Sequence, residues 1–136
     1  MNNDFCNVNK LLSYALKLLS KRAYSPKEIE EKLKKKCKKY EVVEETLEIL
    51  YTKFFPKETL EQMYLEALFD GMIRKLKGPK IFAYKAQIAG ISYEKIQHYI
   101  EKEEWEVVKE KVIHLSKKRF PNNPQKQKQF IYRRGF

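Results

Sequence analysis

Positive charge interleaved with aromatic residues is the pattern in this chain that is best suited to ligand contact. The 136 residues include 29 Lys and Arg against 18 Asp and Glu, a formal net charge of +11. Such an excess favours polyanionic partners, nucleic acid first and an anionic membrane surface second. Lysine and arginine contact phosphates without reading base sequence. The candidate contact residues are Lys34, Lys35, Lys38, Lys39, Arg74, Lys75, Arg133 and Arg134.

The densest part of this pattern has two interpretations. Six of the eight residues from 32 to 39 are lysine. The run is typical of a surface that meets phosphates, but lysines late in a helix also complement the helix dipole and can form a solvated face. The sequence alone leaves both interpretations open.

No catalytic constellation accompanies the charge. Neither His98 nor His114 has a paired nucleophile or metal ligand within sequence reach, and the four glycines are isolated, so no phosphate-binding loop is present. The carboxylates at 101, 103 and 104 stand beside lysines, which favours a solubilising patch. The sequence therefore predicts a protein that is not an enzyme and uses no cofactor.

The cysteine content and the hydropathy of the sequence indicate the cellular compartment in which the protein acts. Cys6 and Cys37 do not constitute a disulfide framework, and with the two histidines they give no zinc spacing. Residues 1–9 contain an acid and no apolar core, which argues against a secretory signal, and no apolar run has membrane-spanning length. We expect a cytoplasmic monomer that makes no use of a membrane.

Three prolines mark the starts of three helices. Pro26, Pro79 and Pro124 each follow a small or polar residue, and each is followed eleven positions later by a residue suited to ending a helix. Ser25 with Glu28 matches a capping box. The residues at the far ends are Cys37, Gly90 and Gly135, and the placement of Cys37 opposite two glycines suggests a local backbone role.

Apolar residues at helical spacing extend each marked helix into a three-helix unit. The sequence predicts an all-α fold of tandem three-helix repeats in an elongated, curved array, with repeats at 8–54, 55–103 and 104–136. The third repeat lacks its last helix, so we expect the residues after 122 to be the least stable. The alternative is the weak self-similarity that any helical protein shows. Gly71, within the long helix 57–76, predicts a close approach by a neighbouring helix.

Several of these segments together resemble the RecX family of recombinase regulators. The resemblance rests on Tyr14-Ala-Leu-Lys-Leu-Leu-Ser-Lys-Arg-Ala-Tyr-Ser25, on Gly78-Pro79 with Gly90-Ile91, and on the closing Arg133-Arg-Gly-Phe136. It runs from about Tyr14 to the last residue, with the pieces in order. Lys117-Lys-Arg-Phe120 adds a further match.

The resemblance implies three tandem three-helix units without enzymatic activity. It also implies a partner, the RecA nucleoprotein filament, whose ATP hydrolysis, strand exchange and support of repressor cleavage would be suppressed. Single- or double-stranded DNA would be contacted without sequence preference. The rival interpretation is a general basic, helical DNA-binding protein without a recombinase partner, and the two differ in whether binding requires the recombinase.

Overall fold

The computed structural model describes residues 6–136, so the first part of the polar N-terminal segment, residues 1–5, lies outside the described residues. Every regular element in the described part is helical, which confirms the all-α prediction. The elements are α1 (Val8–Lys21), α2 (Pro26–Lys36), α3 (Tyr40–Ile49), a π-helical turn (Leu50–Phe54), α4 (Lys57–Arg74), α5 (Pro79–Ile88), α6 (Tyr93–Ile100), α7 (Glu104–Arg119) and α8 (Pro124–Arg133).

The three prolines begin helices as predicted. Pro26, Pro79 and Pro124 are the first residues of α2, α5 and α8. The capping box is formed: Glu28 N–H donates to Ser25 Oγ at 3.2 Å, and Ser25 N–H donates to the Glu28 carboxylate at 3.0 Å. These bonds satisfy two amide groups that the start of a helix leaves without partners.

Arg22 joins the end of α1 to the start of α2. Its guanidinium lies 3.4 Å from the Glu28 carboxylate and 3.5 Å above the centre of the Tyr24 ring. Burial by itself would lower the pKa of Arg22, but the hydrogen bond and charge of Glu28 outweigh it and raise that pKa. Arg22 and Ser25, two residues of the motif that the sequence singled out, thus have structural roles.

Two of the three helices that begin with proline end at a glycine, as predicted. Gly90 and Gly135 have φ values of 82° and 95°, the left-handed conformation that favours glycine. Cys37 does not share it, because its φ of −138° and ψ of 126° are extended. The interpretation of Cys37 as a substitute for a glycine was therefore wrong, and its side chain, which is 2% exposed, has a different role.

The third helix ends in a way the sequence did not predict. Helix α3 ends at Ile49, where the chain widens into the π-helical turn Leu50–Phe54. Phe55 N–H donates to the Leu50 carbonyl at 2.8 Å, the i to i−5 bond of that geometry.

The chain divides into two compact units between Tyr64 and Leu65, inside α4. The division into three repeats stays a prediction. In the first unit, α1, α2 and α3 enclose an aliphatic core to which α4 adds one leucine. Its fully buried members are Leu11, Ala15, Ile29, Leu33, Leu50 and Leu60.

The second unit, Leu65–Phe136, has an aromatic core. Phe69 meets Trp105 edge to face, with ring centres 5.1 Å apart, and Phe82 and Tyr99 complete the cluster. Trp105 Nε1–H donates to the Tyr99 carbonyl at 2.8 Å, which satisfies the buried indole. Within residues 6–136, no helix combines the length and apolarity that crossing a bilayer requires.

The segment Arg134–Phe136 packs against the start of α5. Gly78 N–H donates to the Arg134 carbonyl, and Lys80 N–H donates to the Gly135 carbonyl at 3.1 Å. A Cβ on Gly78 would lie 2.5 Å from the Gly135 carbonyl oxygen, so only glycine fits there. Gly78 has no side chain and therefore does not cap α5. The small residue before Pro79 serves this packing instead.

Gly71 has no comparable reason to be glycine. A Cβ added there would meet only the Arg74 guanidinium, at 3.9 Å, which is ordinary contact. The predicted close approach by a neighbouring helix was therefore wrong.

Candidate nucleic-acid interface

The first unit carries four of the predicted contact residues, which we call the lysine cluster: Lys34, Lys35, Lys38 and Lys39. All four side chains are exposed. Lys34 and Lys35 lie in the last turn of α2, and Lys38 and Lys39 lie in the short connection to α3. The structure thus places the four lysines together around the C-terminal end of α2.

Both interpretations of the lysine run find support in this geometry. The C-terminal end of a helix favours nearby cations, so Lys34 and Lys35 stabilise α2. Lys34 also lies 3.5 Å from the exposed Glu30 carboxylate, a contact worth little in water. Among the described residues, Lys35, Lys38 and Lys39 form no ion pair, so their charges are available to an external anion.

The connection that carries Lys38 and Lys39 is fixed at both ends. Cys37 N–H donates to the Leu33 carbonyl at 3.0 Å, and the Lys39 carbonyl accepts the N–H groups of Val42 at 3.1 Å and Val43 at 3.3 Å. Lys39 is therefore the N-cap residue of α3, directly before Tyr40. The two lysines extend from a short backbone segment that hydrogen bonds hold at both ends, which lowers the entropy lost when they bind.

The other four predicted residues lie in the second unit and differ in role. Arg74 ends α4, Lys75 follows it, and Arg133 ends α8; all three are exposed. Arg134 is half-buried, and its guanidinium donates to the Lys75 carbonyl at 3.1 Å. The structure therefore brings the two basic pairs together, although 59 residues separate Lys75 from Arg134.

Arg134 also borders a cleft between α7 and α8. The cleft is about 410 Å³ in volume, with an apolar floor of Leu115 and Phe130 and a cationic rim of Lys118, Arg119 and Arg134. The Arg119 and Arg134 guanidinium groups lie 5.9 Å and 5.1 Å from the centre of the Phe130 ring. An anionic group at this rim would meet three cations, and none of the described residues that line the cleft is a carboxylate.

Lys118 and Arg119 were missing from the predicted contact set. A signal was present in the sequence, because residues 117–136 contain seven basic residues and no acidic one. Only the packing of α8 against α7 shows that the rim combines residues from both ends of that stretch.

A second cleft in this unit is less suited to a polyanion. It lies beside the start of α5 and is bordered by Lys80, Lys102 and Lys109 but also by Glu101, Glu103 and Glu106. Lys102 is half-buried, with its ammonium 5.1 Å from the centre of the Tyr99 ring. Two carboxylates of the predicted solubilising patch, Glu101 and Glu103, thus lie among these lysines and lower the net positive charge around the cleft.

Each unit has an exposed aromatic side chain that lies near a cation. Tyr40 is 58% exposed and lies 5.8 Å from the Lys34 ammonium; Tyr132 is 71% exposed and lies 5.5 Å from that of Lys80. Such rings can stack on unpaired bases. Within residues 6–136, no group of three metal-ligating side chains is assembled.

The sequence of the first unit matches a known family domain. Residues 12–50 fit the family model described as the first three-helix domain of RecX, a range that covers most of α1 and all of α2 and α3. Over 127 residues the chain is 35% identical to the regulatory protein RecX of Thermotoga petrophila and to that of Thermotoga maritima. The alignment covers 93% of this chain and 77% of each relative. The chain belongs to the RecX family.

The range that matches the RecX domain contains the motif residues whose structural roles are described above. The domain match contains Arg22, Ser25 and Glu28, the residues that join α1 to α2, and it also contains the whole lysine cluster. No solved structure matches this RecX family member.

Proposed function

We propose that the protein is a non-enzymatic inhibitor of the RecA recombinase that binds the RecA–DNA filament. Through the filament it would modulate recombination, DNA repair and the SOS response, and it would act in the cytoplasm. The observation that carries this proposal is the 35% identity, over 93% of the chain, to proteins named regulatory protein RecX.

The basic surfaces support contact with the DNA of such a filament. Three members of the lysine cluster, Lys35, Lys38 and Lys39, form no ion pair within the described residues. On the second unit, Arg74, Lys75 and Arg133 add exposed cations. Contacts of this kind are made to phosphates, so single- and double-stranded DNA would both be accepted without sequence preference.

The test is the ATPase activity of a cognate RecA on single-stranded DNA, measured with increasing amounts of this protein. We expect inhibition at substoichiometric amounts, since a molecule bound along the filament would affect more than one RecA subunit. The control is the variant in which all four residues of the lysine cluster are glutamine, which should inhibit less. An unchanged ATPase in the presence of excess protein that still binds DNA would contradict the proposal.

The second candidate is a general basic DNA-binding protein, which the net charge of +11 favours by itself. The two functions differ in what RecA adds to binding. On single-stranded DNA of fixed length, a filament regulator should bind the RecA-coated strand more tightly than the bare strand at the same salt concentration. The general binder should bind the coated strand less tightly, because RecA covers phosphates.

A further inference from the structure

The structure joins the two cysteines by a bond that the sequence did not predict. Cys6 and Cys37, 31 positions apart, form a disulfide with their Cα atoms 4.9 Å apart. The sequence-based interpretation that the two cysteines form no disulfide was wrong. It rested on the number of cysteines, whereas the packing of α1 against α2 brings Cys6 and Cys37 together. The bond ties the segment before α1 to the end of α2.

The disulfide lies directly beside the lysine cluster. Cys37 immediately precedes Lys38, and its Sγ lies 3.7 Å from the Lys39 carbonyl, the oxygen that accepts the first amide groups of α3. The side chain of Cys37 is 2% exposed, while Cys6 is half-buried against the core of the first unit. A change at the sulfurs therefore acts on the backbone that presents Lys38 and Lys39.

We propose that Cys6 and Cys37 form a reversible thiol–disulfide switch that controls how rigidly the lysine cluster is presented. The oxidised form ties the connection between α2 and α3 to the segment before α1. The reduced form releases Cys6. This inference rests on the proposed function in two respects. The protein must act in a reducing cytoplasm, where a disulfide is regulatory and not permanent, and the lysine cluster must contact phosphates.

The chemistry is exchange with a small-molecule disulfide such as oxidised glutathione. The Cys6 thiolate, which is the more exposed, attacks one sulfur of the glutathione disulfide; a mixed disulfide forms and one glutathione thiolate leaves. The Cys37 thiolate then attacks the Cys6 sulfur and displaces the second glutathione. Two protein thiols lose two electrons and two protons in total, and one glutathione disulfide becomes two glutathione thiols.

Oxidation leaves the charge of every lysine unchanged, which distinguishes this switch from an electrostatic one. The number of phosphates neutralised stays the same, so the dependence of log affinity on log salt should stay the same in both forms. Affinity itself should be higher in the oxidised form, by about two- to tenfold, because fewer side-chain and backbone rotations remain to be lost on binding.

The first arm of the test follows the thiols alone. Full-length protein is equilibrated in buffers of varied reduced-to-oxidised glutathione ratio, quenched with acid, and then unfolded and labelled with a maleimide, so that the buried Cys37 thiol also reacts. We expect a single transition from two labels to none, with the protein remaining monomeric. Cys6→Ser has no second thiol to form the bond, so it should lose its one label only by gaining one glutathione, which the mass distinguishes. Persistence of two labels in excess oxidised glutathione, or disulfide-linked dimers only, would overturn the proposal.

The second arm measures the effect on the cluster by amide hydrogen exchange at Val42 and Val43, whose N–H groups bond to Lys39. Exchange should be slower in the oxidised form, and Cys6→Ser should match the reduced wild-type protein under both conditions. Equal exchange in the two forms would overturn the coupling. Absence of DNA binding in both forms would contradict the proposed function alone. Thiol labelling and amide hydrogen exchange test the thiol–disulfide switch without DNA.

Discussion

Gly78 and Gly135 lie main chain against main chain, so close that a Cβ on Gly78 would be 2.5 Å from the Gly135 carbonyl oxygen. This contact brings Arg134, the residue before Gly135, within reach of Lys75, three residues before Gly78. The contact between Arg134 and Lys75 therefore depends on these two glycines.

We expect Gly78→Ala to destabilise the second unit by about 1–3 kcal/mol, because the added methyl group must displace backbone atoms. The amide groups of Gly78 and Lys80 should lose protection, since they bond to Arg134 and Gly135. Urea unfolding and amide hydrogen exchange measure the two effects. Unchanged protection at both amides would show that this packing is not formed in solution.

Gly71→Ala is the matched control, with the same methyl group added in the same unit. The open space at Gly71 accepts it, and alanine lowers the entropy of the unfolded chain, so we expect stabilisation by about 0.5–1 kcal/mol. A loss of stability here would mean that Gly71 has a neighbour that the structure does not show.

Arg133 and Arg134 should separate into a contact residue and a structural one. Arg134→Gln removes the bond to the Lys75 carbonyl and should cost about 1 kcal/mol of unfolding free energy. Arg133→Gln changes an exposed side chain and should alter stability by less than about 0.5 kcal/mol while weakening DNA binding. The pair is compared by urea unfolding and by fluorescence anisotropy with labelled DNA. Equal destabilisation by the two changes would contradict this assignment.

The lysine cluster is tested by changing Lys34, Lys35, Lys38 and Lys39 together to glutamine. Each lost phosphate contact should lower the slope of log affinity against log salt by roughly 0.7 to 0.9, so we expect a slope lower by at least about one unit. Binding of DNA is measured over a series of salt concentrations. Circular dichroism should show both this variant and its control to be folded.

The control removes the same charge from exposed lysines of the same unit: Lys10, Lys17, Lys21 and Lys53 to glutamine. It should weaken binding only through the long-range field and leave the slope within error. Similar slopes for the two variants would favour the solvated-face interpretation of the run.

Tyr51 gives the first unit a defined response to alkali. Burial, with the charges of Glu30 and Glu61 adding to it, raises the pKa of Tyr51 from 10.0 to about 12. The folded state therefore keeps a proton that the unfolded state releases, and the contribution is full below pH 10 and is lost as the pH rises through 12. We expect Tyr51→Phe to lose less stability than the wild-type protein between these values, as measured by urea midpoints. A constant difference between the two proteins across this range would contradict the raised pKa.

The sequence by itself determined the local features of this protein. Pro26, Pro79 and Pro124 begin helices, Ser25 and Glu28 cap one, and Gly90 and Gly135 end two, because these effects depend on the dihedral preferences and hydrogen bonds of residues within one turn. The excess of basic residues and the family resemblance are likewise properties of the sequence. Both need no knowledge of which helices touch.

Tertiary structure decided every relationship between distant residues. The bond between Cys6 and Cys37, the joining of Arg134 to Lys75, and the cleft whose rim combines Arg119 with Arg134 each depend on which helix faces pack together. Helical periodicity shows which residues share a face but not which face they meet. For the same reason Cys37, read as a glycine substitute from its position in a repeat, proved to be one end of a covalent link.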